Sequence, residues 1–152
     1  MGQRNGLTNA HAQHRLIHDI YVLLDDGDRR VLDTLGLTPM EFAVLKRLHT
    51  DQGRRLTDIG AELLCVKSTI TRLVDRLERD GLVQRLPDPD DRRAQRLVLT
   101  AYGVSTRHKA EALHDEAVER RMGLLNPEEQ HTFHTLLEKL RAGLREELVT
   151  SG

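Results

Sequence analysis

The chain contains little of several residue types that whole classes of protein require. Its 152 residues include one cysteine, two tyrosines, two phenylalanines and no tryptophan. The single cysteine, Cys65, excludes an intramolecular disulfide framework and a cysteine-rich zinc site. No apolar run approaches the roughly 20 residues that a membrane-spanning helix needs, and the first residues lack the apolar stretch of a signal peptide. We therefore expect a soluble, cytoplasmic protein that has no membrane partner.

Charge is nearly balanced over the whole chain but is unevenly distributed along it. The formal net charge is -1. Residues 66–96 carry eight Lys or Arg against six Asp or Glu, whereas residues 101–152 carry seven against nine. This asymmetry is mild and by itself identifies no partner. The length fits one domain, or a small lobe with an appended helical region.

Helical periodicity dominates the sequence, and several helix starts are explicit. Thr38, Pro39 and Glu41 form the pattern of a capping box with proline at the first helical position, and Asn126, Pro127 and Glu129 repeat it. Thr57 and Thr100 are weaker signals for the start of two further helices. The predicted helices are 9–34, 39–50, 57–64, 67–80, 101–122 and 127–148. The acidic run 25–28 predicts a solvated kink in the first helix, since it is too short for a calcium loop.

The periodicity changes between residues 81 and 100. Gly81 is expected to end the preceding helix in the left-handed backbone region. Residues 82–86 and 96–99 then read as two short strands, and the Pro- and Asp-rich segment between them reads as the tip of a hairpin. The chain is therefore predicted to be mainly α-helical, with one two-stranded β-hairpin.

Helix 67–80 has two contrasting faces. Its apolar side chains recur at helical spacing and should face a core: Ile70, Leu73, Val74 and Leu77. Its other face is polar and basic: Lys67, Ser68, Thr71, Arg72, Asp75, Arg76 and Arg79. Short hydroxyl side chains followed by arginines suit a helix that enters the DNA major groove by its N-terminus, where Arg can bond guanine in two places. With the short helix before it and the hairpin after it, this segment predicts a winged helix-turn-helix.

Three segments resemble, in order and spacing, the MarR family of bacterial winged helix-turn-helix transcriptional regulators. They read LTPMEFAVLKRL, STITRLVDRLERDGLVQR and DPDDRRAQRLVLTAYG, and the close resemblance covers residues 37–103. The resemblance implies a homodimer whose N- and C-terminal helices interlock. Each protomer of such a dimer presents one winged helix to a palindromic operator in double-stranded DNA.

The hairpin tip is the wing of the resembled family. In that family an arginine two residues after an acid enters the minor groove and the acid helps to orient it; here those positions are Asp91 and Arg93. A narrow minor groove attracts an inserted arginine because it concentrates negative potential. Three positions depart from the family pattern: Asp90 where arginine is common, Leu64 where a turn glycine is usual, and Val66 where a polar cap is common.

The expected organisation has three parts: residues 1–36 and 101–152 as dimerisation regions, and residues 37–100 as the DNA-binding domain. Both terminal helices carry apolar stripes that one small winged helix has little surface to cover, so a partner subunit is the expected cover. The residues expected to contact DNA are Lys67, Ser68, Thr69, Thr71, Arg72, Arg76, Asp91 and Arg93. No catalytic, cofactor-binding or metal-binding residue is predicted.

Other sensing chemistries stay open at this point. The pairs His14/His18 and His131/His134 each share a helix face, but two histidines need further ligands to hold zinc, so solvated side chains are the favoured interpretation. Cys65 falls where the family places an apolar residue, which favours a small buried side chain over a reactive thiol.

The favoured function is a repressor that a small-molecule effector releases from DNA. The first alternative keeps the fold but makes the input a metal ion or an oxidant. The second is a winged-helix module that contacts protein and not DNA. An enzyme is rejected, because the sequence has no glycine-rich phosphate loop and no acid pair in an evident cleft.

Overall fold

The computed structural model describes residues 2–151, with side chains from residue 9 to residue 151. Helices and strands follow one another in the order α1 (Gly2–Asp33), α2 (Pro39–Lys46), β1 (Arg54–Arg55), α3 (Leu56–Glu62), α4 (Lys67–Arg79), β2 (Val83–Pro87), β3 (Gln95–Leu99), α5 (Ala101–Met122) and α6 (Pro127–Thr150). The predicted fold class, a mainly α winged helix-turn-helix, is confirmed. None of the described helices combines the length and the apolar character needed to cross a membrane.

The chain divides into two compact units, residues 1–114 and 115–152. The first holds a core to which α1, α2, α3, α4, the strands and the first half of α5 contribute. Its buried apolar members are Leu32, Leu37, Phe42, Val44, Leu45, Leu48, Ile59, Ile70, Val74, Leu77, Leu82, Val83, Leu97, Leu99 and Ala110. The second unit consists of the end of α5 and all of α6, whose side chains are nowhere buried.

Both predicted capping boxes are present. Glu41 N–H donates to Thr38 Oγ1, and the Glu41 carboxylate accepts from Thr38 N–H. The same reciprocal pair joins Asn126 and Glu129 at the start of α6. The start predicted at Thr57 is displaced, because α3 begins at Leu56 with no side-chain cap. These bonds satisfy N–H groups that a helix start otherwise leaves open.

Two predictions about helix length were wrong. The acidic run does not kink α1, which continues unbroken to Asp33, because Asp25 pairs with Arg29 and Asp26 with Arg30, each at 2.8 Å and four residues apart. Such pairs support a helix. Helix α2 ends at Lys46 and not near residue 50, since the chain turns there toward β1.

The sheet has one strand more than predicted, in the order β1-β3-β2. Strands β2 and β3 form the expected antiparallel hairpin, with Val83 opposite Leu99 and Pro87 opposite Gln95. We call this hairpin and its loop the wing. The third strand, β1, is only two residues long and pairs with β3. Two adjacent arginines carry no strand periodicity, so the sequence gives no sign of it.

Two residues take left-handed backbone conformations next to α4. Gly81 has φ +76 just after the helix, as predicted. Leu64 has φ 52 in the turn that precedes it. This is the position where the resembled family usually has glycine, and a non-glycine residue is strained there. The turn therefore has the backbone conformation of a helix-turn-helix, although Leu64 stands where glycine is usual.

Candidate nucleic-acid interface

The N-terminal half of α4 presents the predicted polar face to solvent. Lys67, Ser68, Thr71 and Arg72 are exposed, while Thr69 is half-buried. The Thr71 hydroxyl donates to the Lys67 carbonyl oxygen over 2.8 Å, which leaves its methyl group and oxygen lone pairs for other contacts. No side chain caps the start of α4, where Val66 occupies the N-cap position. The uncapped end leaves backbone N–H groups for an acceptor such as phosphate.

Arg76 is held by the protein itself. Its Nε lies 3.2 Å from Oε1 of Glu41, a carboxylate that is only 2% exposed. A buried carboxylate needs a nearby cation because burial removes its water. Arg76 therefore has a structural partner in α2. The sequence had predicted only a DNA contact for it.

Asp88 organises the wing loop. Its side chain is fully buried and accepts from Arg55 Nε at 2.7 Å and Arg96 Nε at 2.9 Å. It also accepts from the backbone N–H groups of Asp90 and Asp91, at 2.8 and 3.1 Å. The hydrogen bonds from Arg55, and then those from Arg96, hold the pKa of the Asp88 carboxyl far below its usual range. One carboxylate thus joins β1, β3 and the wing loop.

Asp91 acts on the backbone of the wing tip. Its carboxylate accepts from the backbone N–H of Arg93 at 2.9 Å. The expected orientation of the Arg93 guanidinium by Asp91 is therefore replaced by a turn contact of the Asx type. Asp91 and Arg93 are both exposed at the tip.

Five cations of α4 and the wing have no ion-pair partner within 4 Å among residues 9–151: Lys67, Arg72, Arg79, Arg92 and Arg93. Two of them lie in the first half of α4, two at the wing tip, and Arg79 at the C-terminal end of α4. Other basic residues in the same region are already paired with carboxylates of the chain. Unpaired cations on an exposed surface attract a polyanion, because their contact with phosphates releases condensed counterions.

Cys65 is half-buried, where the sequence predicted full burial. Its Sγ lies 3.9 Å from Sδ of Met40, and it packs at the edge of the core. It also lines an open groove of about 730 Å³ between the start of α4 and the wing. No three His, Cys, Asp or Glu side chains in the described part of the chain are grouped as a metal site requires.

The sequence interpretation did not identify Asp88 and Arg85. An Asp placed just before a proline turn can accept N–H bonds from the next residues, which is a readable signal for Asp88. Arg85 has the same phase as the buried Val83 in β2, so its side chain points inward with it. An arginine at an inward strand position requires carboxylate partners, and that requirement is the signal that identifies it.

Comparison with known sequences identifies relatives of one kind. The model of the MarR family matches residues 37–94. The chain is similar to the HTH-type transcriptional regulator YkoM of Bacillus subtilis (strain 168), with 38% identity over 104 residues that make up 68% of each chain. It is also similar to the HTH-type transcriptional regulator MhqR of the same organism, with 28% identity over 79% of this chain and 83% of the relative.

Solved structures share the fold. A mutant MarR from E. coli complexed with operator DNA has a TM-score of 0.76 at 27% identity, over 84% of this chain and 91% of that one. A MarR-like transcription regulator from Bacillus cereus ATCC 10987 has a TM-score of 0.82 at 23% identity, over 90% of this chain and 99% of that one. At 23% identity the second likeness concerns the fold alone.

Proposed function

Because this chain belongs to the MarR family of DNA-binding transcriptional regulators, we propose that it is a cytoplasmic repressor that binds a palindromic operator as a homodimer. A small-molecule effector releases it from that DNA. Helix α4 is the recognition helix and enters the major groove, while the wing reaches the adjacent minor groove. Residues 37–100 bind the DNA, and residues 1–36 and 101–152 hold the two protomers together.

One observation carries this proposal: four of the five unpaired cations of α4 and the wing lie at the start of α4 and at the wing tip. A helix in the major groove and a hairpin in the minor groove meet phosphates at these two places. Ser68, Thr71 and Arg72 lie on the exposed face between them, within reach of base edges. Arg93 at the tip suits a narrow minor groove, whose negative potential is strong.

The dimer proposal rests on two exposed apolar surfaces, one on α1 in the first unit and one on α6 in the second. In the first unit, α1 exposes several large apolar side chains: Leu16, Ile17, Ile20, Tyr21, Val22 and Leu23. In the second unit, α6 exposes Phe133, Leu136, Leu137, Leu140, Leu144 and Leu148. Full burial of a fully exposed apolar side chain contributes about 1.5–3 kcal/mol, and these partly exposed side chains contribute a share of that. A second copy of the chain is the partner that a palindromic operator requires.

An open groove of about 490 Å³ between α1 and the start of α2 supports an effector site. It is lined by Tyr21, Asp25, Arg29, Thr38, Pro39 and Met40. Its size is that of a small-molecule pocket, and it adjoins both a proposed dimerisation helix and the winged helix. DNA binding requires the two recognition helices to lie about 34 Å apart. An effector that binds more tightly to a conformation with a different spacing shifts the protein toward that conformation and away from DNA. A coupling of about 1–3 kcal/mol is typical for such an effect.

Substitution of Arg93→Ala tests the wing assignment. We expect operator affinity to fall about tenfold at moderate salt. We also expect the slope of log K against log salt to shrink by about one counterion per protomer, because one phosphate-facing cation is lost. Fluorescence anisotropy of labelled duplex across a salt series measures both quantities.

Arg145→Ala is the matched control, since it removes an exposed arginine from α6. It should leave affinity and slope unchanged. If Arg93→Ala behaves like this control, the wing does not contact DNA.

A further inference from the structure

The recognition helix carries two acids, Asp75 and Glu78, in its C-terminal half. Asp75 lies seven residues after Ser68 and three after Arg72, so the three share one helix face. Glu78 follows one turn later. The side chains of Asp75 and Glu78 are 53% and 41% exposed. Carboxylates on this face would repel phosphates unless a cation of the protein neutralises them.

One arginine contacts both carboxylates. Arg85, in β2, places Nη2 2.5 Å from Asp75 Oδ1 and Nη1 2.9 Å from Glu78 Oε1. Its backbone N–H donates to Glu78 Oε2 at 3.3 Å. The Arg85 side chain is only 18% exposed, so it lies between the helix and the strand and not on the outer surface.

Resting on the proposed function, we propose that Arg85 is a positioning residue for DNA binding that neutralises Asp75 and Glu78 and holds the wing against the recognition helix. Arg85 does not itself need to contact DNA. Its removal exposes two negative charges to the phosphates and loosens the strand that supports the wing. The planar guanidinium suits this role because its fork bonds two carboxylates at once, which an ammonium group does not reproduce.

The same contact connects the two parts of the proposed interface. Arg85 pairs in register with Leu97 of β3, and β3 leads back through the wing loop to Arg93. The hydrogen bond to Asp75 raises the pKa of the Arg85 guanidinium. The recognition helix and the wing are thus joined by a charged contact.

A double-mutant cycle separates this role from a direct phosphate contact. The four proteins are wild type, Arg85→Gln, the Asp75→Asn/Glu78→Gln double variant, and the triple variant that combines all three changes. We expect Arg85→Gln to weaken binding of an operator duplex about tenfold. The acid-neutralising pair should change affinity less than twofold in wild type, yet raise it about tenfold in the Arg85→Gln background.

Equal effects of the acid-neutralising pair in both backgrounds would overturn the proposal, because Arg85 would then act independently of the two acids. A purely structural role predicts no recovery in the triple variant. Thermal unfolding of each protein monitors the fold. If Arg85→Gln does not fold, the cycle is run with Arg85→Lys, which reaches one carboxylate, and a coupling of about threefold is expected; no coupling there overturns the proposal equally.

These outcomes are distinct from failure of the proposed function. If Arg93→Ala lowers affinity but the cycle shows no coupling, only the role of Arg85 is lost. A wild-type protein that binds no duplex would overturn both.

Discussion

The double variant Leu136→Glu/Leu140→Glu is expected to be monomeric and to lose at least about 100-fold in operator affinity. The two leucines lie one turn apart on α6, and the described residues bury no side chain of this helix. Two carboxylates buried between subunits would remain unpaired, a cost that the lost apolar contact increases. A dimer gains affinity because its second winged helix binds at high effective concentration, typically worth 10²–10⁴-fold. Light scattering after size exclusion and anisotropy of operator DNA measure the two effects.

Thr135→Glu/Ala142→Glu is the matched control for this change. Both residues are exposed and lie about half a turn away from the apolar face of the same helix. This control adds the same two charges to α6 but should remain dimeric and should bind DNA with little loss. A dimeric Leu136→Glu/Leu140→Glu variant would show that α6 does not hold the protomers together.

Substitution of Gly103→Ala should destabilise the protein by about 3 kcal/mol, the upper end of the usual cost of overpacking, because the added methyl group meets rigid backbone atoms. A Cβ at this position in α5 would lie 2.0 Å from the Leu82 carbonyl oxygen and 3.2 Å from Leu99 Cδ2. The clash is with backbone, so α5 must move away from the base of the wing. Gly103 N–H and Thr100 N–H hold this junction through bonds to Thr100 Oγ1 and to Leu82 O. Urea unfolding at a fixed protomer concentration measures the loss.

Ser105→Ala provides the comparison, because Ser105 is exposed on the same helix. It should change the free energy of unfolding by no more than about 0.5 kcal/mol. If Gly103→Ala is equally mild, α5 does not lie as close to the Leu82 carbonyl oxygen as the structure places it.

Local chemistry explains which parts of the fold the sequence predicts well. The box of Thr38 and Glu41 and the left-handed Gly81 each depend on a few consecutive residues, and both are confirmed. The inward stripe of α4 is confirmed as well, with Ile70 and Val74 buried in the core. Each of these features depends on residues that lie close together in the sequence, within one or two helical turns.

The features that the sequence did not reveal depend on distant partners. Asp88 is bound by Arg55, which lies 33 residues earlier in the chain. Glu41 pairs with Arg76 of another helix, and β1 exists only because β3 offers it an edge. Sequence spacing carries no information about such pairs. The sequence therefore predicted a single pair, Asp91 and Arg93, in the charged hairpin, whereas the buried carboxylate of Asp88 organises it.

Selection of bound duplexes from random DNA by the wild-type protein tests the central claim most directly. Two protomers that each place α4 in the major groove and a wing in the minor groove should enrich one inverted repeat. Its half-site centres should lie about 10 base pairs apart, the spacing of one helical turn. Failure to enrich any sequence, or enrichment of an isolated half-site bound by one protomer, would contradict the account.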